Sequence, residues 1–333
     1  MLKRQDGRYQ EKLLINGKYR YFYGKTKSEV LKKINSWKEE KEKCQTFNYI
    51  ADLWYEECQK KLEYNTYKGY KASLIRAKKH FSTIQIDTIT PQEIYSYLSD
   101  MSKTYADKTI KTQLSVINMI FIFAVTKGFL SVNPARDIPA PSGTGKKIIQ
   151  CPLDEEIKKV KSSKDGKAKL FAYIAMCAGL RKGEILALDK SDINIKDRKI
   201  KISKSVYYIG NKPYIKKPKT KKSEGYAPII DELLPYLKRL PKGLLFSNSK
   251  GELMTEWEYR IFWENYQKET GITFTAHQLR HYYATALFEN GIPPEEMQVL
   301  LRHAQLSTTM DIYKELRENK KKEIFEKTYS IKI

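Results

Sequence analysis

In CAGLRKGEIL, residues 177–186, an apolar helix that begins near Leu170 ends at about Gly179, a new element starts at Gly183, and Arg181 stands in the gap. Farther along, HQLRH at 277–281 sets His277 and Arg280 three residues apart on one helix face, with His281 beside His277. LLRHAQLSTTMDIY at 300–313 then supplies His303 and, ten residues later, Tyr313. Arginine keeps its proton at neutral pH and offers a planar fork of donors that fits a phosphate oxygen pair. Arg181 and Arg280 are therefore candidates to hold a phosphodiester. A phenol with an ordinary pKa near 10 is a weak nucleophile until neighbouring positive charge favours its phenolate. Tyr313, grouped with two guanidiniums and two imidazoles, has the chemistry to cut and rejoin a nucleic-acid strand.

Composition points to the same partner. The chain has 333 residues, and its 62 Lys and Arg against 39 Asp and Glu leave a formal charge of +23. Such a field draws in polyanions and predicts binding that weakens as salt rises, because each neutralised phosphate releases counterions. The length exceeds one typical core and suggests two or three domains. No apolar run reaches the roughly 20 residues of a membrane span, and MLKRQDGRYQ lacks the apolar stretch of a signal peptide. The expectation is a cytoplasmic protein with no membrane partner. Cys44, Cys58, Cys151 and Cys177 are scattered, with no zinc-ligand spacing, and read as reduced thiols.

The expected fold is mainly α with small β-sheets, an α+β chain in three domains. Residues 1–43 carry 13 Lys or Arg and 6 acids and read as strand, turn, strand, turn, helix in a small three-stranded domain. Asn16 and Gly17 give the hairpin signal, Tyr19, Tyr21 and Tyr23 alternate with Arg20 and Phe22, and Thr26 with Glu29 resembles a capping box ahead of Leu31 and Ile34. Arg20 and Tyr21 are candidates to enter a DNA groove; a plain capping subdomain would look similar. From 46 to 140 the pattern turns helical, with Phe47, Ile50, Trp54 and Cys58 on one stripe and Ile110, Leu114, Ile117, Phe121 and Val125 on another. Between them YNTYKGYKASLIRAKKHF mixes basic and aromatic side chains, which makes Lys68, Lys71 and Arg76 candidates for a phosphate backbone, although a solvated helix face carries the same residues. Pro139, Pro141 and SGTGKK mark a linker at 141–150.

From 151 to 333 the chain reads as one mixed domain. Strands are expected at 193–195, 199–206, 214–217 and 227–230, turning at Gly210 and Asn211 within one small sheet, followed by helices broken at Gly271, Gly291, Pro293 and Pro294. Residues 196–222 hold 11 Lys or Arg and one acid, so a polyanion is expected across them.

Two cofactor readings fail. GTGKK has Ala140 and Lys147 where a phosphate loop needs Gly and Ser or Thr, and His277 with His281 lacks the glutamate of a zinc-protease helix and has Arg280 alongside. No metal and no nucleotide cofactor are expected, and a covalent phosphotyrosine would conserve the bond energy that resealing requires.

GLRKGEI, HQLRH and LLRHAQLSTTMDIY resemble the boxes of the tyrosine recombinases, the phage and transposon integrase family, in motif detail over about 150–320 and in layout over the whole chain. The resemblance implies catalytic roles for Arg181, His277, Arg280, His303 and Tyr313, a supporting role for Glu184, and a hairpin lysine best matched by Lys219, with Lys217, Lys221 and Lys222 close enough to compete or to bind DNA. It further implies a 3′-phosphotyrosine intermediate, a homotetramer acting on double-stranded DNA through crossover and arm-type sites, an excisionase and a host DNA-bending protein as partners, and a bacterial, nucleoid-bound location. By that layout, 1–43 is an arm-binding domain, 46–140 a core-binding domain and 151–333 the catalytic domain. The expected function is integration and excision of a prophage or other mobile element. A type IB topoisomerase and a non-catalytic DNA-binding regulator are the alternatives, and Tyr329 is a rival nucleophile. The segment after Tyr313 is either exchanged between neighbouring subunits or packed in its own. The chain departs from the family at Arg302, where glycine is common, and at Lys314 and Glu315, where a histidine often follows the tyrosine.

Overall fold

The computed structural model describes residues 1–15, 18–43, 45–145, 151–216, 225–238, 240–302, 306–307 and 309–310. The chain forms two compact units, 1–148 and 149–333.

The first unit opens with β1 (Leu2–Lys3), β2 (Tyr9–Ile15) and β3 (Lys18–Gly24), antiparallel in that order, followed by α1 (Lys27–Lys43). Asn16 and Gly17 lie outside the described residues. Alternation on β3 leaves Tyr19, Tyr21 and Tyr23 exposed and turns Phe22 onto Val30 and Ile34, with Trp37 packed against them. Val30, rather than the expected Leu31, is the buried position, because Leu31 falls on the open side of the helix. Thr26 Oγ1 accepts from the Glu29 amide at 3.2 Å, while the Glu29 carboxylate reaches past Thr26 to the Lys25 amide at 2.7 Å.

α2 (Phe47–Lys61), α3 (Tyr64–Phe81), α4 (Pro91–Ser102) and α5 (Asp107–Thr126) share a separate core in which Phe47 packs against Phe81 and Phe121. Thr46 caps α2, and Thr90 with Glu93 forms a capping box on α4. α5 is long and apolar enough to cross a membrane by length and composition, which the reading of apolar runs did not anticipate. It instead buries Ile110, Val116, Ile117, Ile120, Phe121 and Ala124 in this helical core. Gly143 donates its amide to Asp107 Oδ1 at 2.5 Å, and Thr144 donates to the Tyr105 carbonyl at 3.1 Å, so the first residues of the expected linker are docked on the helices. A Cβ at Gly143 would collide with the Tyr105 carbonyl.

The second unit runs α6 (Asp154–Ser162), α7 (Lys167–Ala178), α8 (Lys182–Leu186), a 3-10 turn at Lys190–Asp192, β4 (Ile193–Asn194), β5 (Lys199–Ile202), β6 (Ser205–Ile209), β7 (Lys212–Lys216), β8 (Gly225–Pro228), α9 (Leu234–Leu237), α10 (Glu256–Thr270), α11 (Ala276–Glu289) and α12 (Pro294–Leu301). α7 is buried at every position from Lys169 to Ala178, as a helix that is apolar all round must be. Phe171 meets Phe246, Tyr259 and Trp263 at ring distances of 5.2 to 5.7 Å. The single strand expected at 199–206 is two strands in two sheets: β5 lies between β4 and β8, and β6 pairs with β7. The chain changes sheets at Ser203 and Lys204, where Lys204 Nζ reaches Asp192 Oδ2 at 3.2 Å.

Candidate active site

The site is built around a carbonyl. α7 ends at Gly179 in the left-handed conformation, φ 62°, which glycine adopts without penalty. A Cβ there would run into the Tyr283 ring, so the glycine also permits the close approach of α11. The Gly179 carbonyl accepts from Arg280 Nη1 on α11 and from Arg302 Nη2, at 3.2 Å, just past α12. Arg280 Nη2 donates to the Leu301 carbonyl. One guanidinium thus ties the end of α7 to the end of α12.

Arg181 is the N-cap residue of α8, and its backbone amide donates to Glu184 Oε2 at 2.8 Å. Its side chain gives Nη1 to Glu184 Oε1 at 2.8 Å and Nη2 to the Arg302 carbonyl at 3.1 Å. Gly183 lets α8 press on β6, because a Cβ would strike the Val206 carbonyl. Glu184 also accepts from Arg302 Nη2 at 3.1 Å and so bridges two guanidiniums.

The electrostatics follow from this crowding. Burial pushes the Glu184 carboxyl up, but Arg302 and Arg181 outweigh it, and the pKa ends below the ordinary value. Burial, then the charges of Arg181 and Arg302, lowers Arg280 to about 9, which still leaves it cationic at neutral pH. The His277 ring faces solvent at the mouth of this cluster, yet the protein mass beneath it, then Arg280 and Arg181, pull its pKa down. The shift favours the neutral imidazole, which has a lone pair for accepting a proton. His281 lies 4.8 Å from His277, ring edge to ring face, and is lowered to about 4, by burial first.

Arg181, Glu184, His277 and Arg280 therefore come together from separate stretches. Lys217, Lys219, Lys221, Lys222, His303, Tyr313 and Tyr329 lie outside the described residues, although Leu301 and Arg302, directly before His303, contact the cluster. Sequence reasoning missed Arg302 as a member of the site. Its backbone is left-handed, φ 53°, which is why glycine suits this position, and its side chain is turned inward onto Gly179 and Glu184. The signal available was the departure from glycine at this position.

The remaining candidates lie in the first unit. Lys68 and Lys71 are exposed one helical turn apart on α3, in line with Ile75. Arg76 is half-buried and donates to Gln113 Oε1 and Ser73 Oγ, each at 3.0 Å. Tyr21 is on the open face of β3; Arg20 is on the opposite face, over the rings of Phe22 and Trp37 at 5.8 and 5.2 Å.

Comparison with known proteins adds an independent line. Residues 151–320 match the Phage integrase family, and residues 47–140 match the Phage integrase central domain. A tyrosine recombinase XerC-like protein of Caldanaerobacter subterraneus is 30% identical over 263 residues, 68% of this chain and 67% of the relative. Among solved structures, the Tn1549 transposon integrase in complex with transposon right end DNA is similar in fold, with a TM-score of 0.65 at 20% identity over 79% of this chain and 94% of that one. A lambda integrase tetramer bound to a Holliday junction gives a TM-score of 0.61 at 18% identity over 91% of this chain and 95% of its own.

Proposed function

The chain belongs to the phage integrase family, and on that premise we propose that it integrates and excises a mobile DNA element with Tyr313 as nucleophile. It is a tyrosine-type site-specific recombinase, a DNA strand transferase. The observation that carries the reading is the convergence of Arg181, Glu184 and Arg280 at the ends of α7 and α12, with His277 on the same helix as Arg280.

In the proposed reaction the Tyr313 oxygen attacks a backbone phosphorus, forming the O–P bond of a 3′-phosphotyrosine while the bond from phosphorus to the 5′ oxygen breaks. Lys219 gives its proton to that leaving oxygen. Arg181 and Arg280 stabilise the charge that builds on the phosphoryl oxygens; removing one such preorganised donor typically costs about 100- to 1,000-fold in rate. His277 and His303 complete the cage. A 5′-hydroxyl of the partner duplex reverses the step and releases the tyrosine, so each bond broken is replaced and no nucleotide is consumed. Residues 1–43 take arm-type sites through the open face of β3 that carries Tyr21, residues 46–140 take the crossover site through Lys68 and Lys71 on the exposed side of α3, residues 141–150 join them to the catalytic domain at 151–333, and Lys217, Lys221 and Lys222 flank the scissile strand. Four copies act together, as in the lambda integrase tetramer on a Holliday junction, and the transposon-end complex supports a mobile element as the substrate. An excisionase and a host bending protein set direction, in the cytoplasm of a bacterial host at the nucleoid.

The test uses a duplex joining the two ends of the element, nicked beside the scissile phosphate to trap the intermediate. The unaltered chain is expected to form a covalent protein–DNA adduct, and Tyr313→Phe to bind the duplex with the same affinity and form none. Adduct from the phenylalanine variant would remove Tyr313 from its role.

A further inference from the structure

We infer that Arg302 is a positioning residue that takes up the charge of Glu184 and thereby leaves Arg181 free to act as a cation on the scissile phosphate. The inference rests on the recombinase reading of this same site.

Three observations carry it. Glu184 is shared: Oε1 faces Arg181 Nη1 at 2.8 Å and Oε2 faces Arg302 Nη2 at 3.1 Å. The two guanidiniums differ in access, because the Arg302 side chain is 3% exposed and that of Arg181 is 41% exposed. The buried ion pair is therefore Arg302 with Glu184, and Arg181 is the member a ligand can reach. Finally, Arg302 is a costly residue to keep there. It holds a left-handed backbone that glycine would adopt without strain, its guanidinium is removed from water, and its Nε has no acceptor among the described residues. A buried ion pair of this kind is a poor source of stability, so packing does not account for it.

Charge does. Among the described residues, Arg181, Arg280 and Arg302 against the Glu184 carboxylate leave two positive charges in the cluster. A phosphodiester carries one negative charge and gains another in the pentavalent transition state, so a surplus of two positive charges suits the phosphoryl oxygens while Lys219 serves the leaving oxygen. Without Arg302, Glu184 would pair with Arg181 alone. That pair would be neutral, and among the described residues Arg280, buried on two carbonyls, would be the one unmatched cation left. Arg302 also fixes Arg181 directly, since the Arg302 carbonyl accepts from Arg181 Nη2.

The test measures adduct formation on the nicked duplex, with duplex affinity measured separately. Arg302→Gly places the residue best suited to the backbone at that position, so a loss of activity cannot be assigned to strain. Its adduct rate is expected to fall about 30-fold, less than the loss of a direct donor, with affinity within about threefold, because many other phosphates carry the binding. Arg302→Lys, which keeps the charge, is expected to recover most of the rate. The double variant Arg302→Gly with Glu184→Gln removes the carboxylate that would neutralise Arg181 and is expected to be about tenfold faster than Arg302→Gly alone. A wild-type rate in Arg302→Gly, or a double variant no faster than the single, would overturn the inference while the unaltered chain still forms adduct. Absence of adduct from the unaltered chain would bring down the recombinase chemistry, and the inference with it.

Discussion

Arg76 in the helical unit and Arg302 in the second unit are both arginines drawn off the surface, and their partners differ in charge. Arg76 gives Nε to Gln113 and Nη2 to Ser73 and lies 5.4 Å from the Tyr105 ring, so these three partners are neutral. Gln113, with no exposed surface, completes that network by donating to the Ser73 carbonyl at 2.9 Å. Arg302 instead meets a carboxylate, and two further guanidiniums crowd the same few ångströms. Like charges are held together there at an electrostatic cost, although Arg280 also ties α7 to α12. A neutral network joins α3 to α5; a network with surplus positive charge is shaped for an anion that the described residues do not supply.

The largest effect that would break this contrast belongs to Arg280. Replacing it with alanine removes a cation from the cluster and leaves the carbonyls of Gly179 and Leu301 without their shared donor. Adduct formation on the nicked duplex is expected to fall by about 100- to 1,000-fold, with duplex affinity little changed. An equal fall in affinity and rate would mean that Arg280 acts as a fold support, as Arg76 does, and the distinction between the two networks would disappear.

Gln113→Leu examines the other side. The substitution keeps the volume and strands Arg76 Nε in a half-buried position, which should cost about 1–3 kcal/mol of stability. Thermal unfolding would show it as a lower midpoint, while the adduct rate per folded molecule stays at the parent value. A lowered rate at full folding would give the neutral network a part in catalysis.

These two networks also mark where the sequence was readable. The apolar stripes of α2 and α5 were legible because burial imposes a helical period on Phe47, Ile50, Trp54 and on Ile110, Ile117, Phe121. The meeting of Arg181, Glu184, His277 and Arg280 was legible through motifs, since phosphate chemistry restricts which side chains serve. Arg302 was not, because a left-handed backbone and an inward guanidinium leave no periodic trace. The break between β5 and β6 was hidden too: Lys199 to Val206 alternates without interruption, and only the pairing of β5 with β8 separates the strands. Arg20 and Tyr21 were grouped as one surface, although a strand sends neighbours to opposite faces.

The smallest effect expected is a pH dependence confined to the charged site. His281 has its pKa lowered from 6.5 to about 4, by burial first and then by His277 and Arg280. A histidine whose folded value lies below its unfolded one favours the folded state in its neutral form. The stability it contributes is complete above pH 6.5 and drains away as pH falls towards 4. His277 is lowered as well and works in the same direction. Glutamine cannot take the proton, so His281→Gln should lose less of its melting temperature than the parent between pH 7 and pH 4.5, by about 2 °C. The Arg76 network holds no group that titrates in that window, so Gln113→Leu should shift the melting temperature by the same amount at both pH values. Equal acid sensitivity in His281→Gln and the parent would show that burial and the neighbouring charges do not keep the proton off His281 in the folded chain.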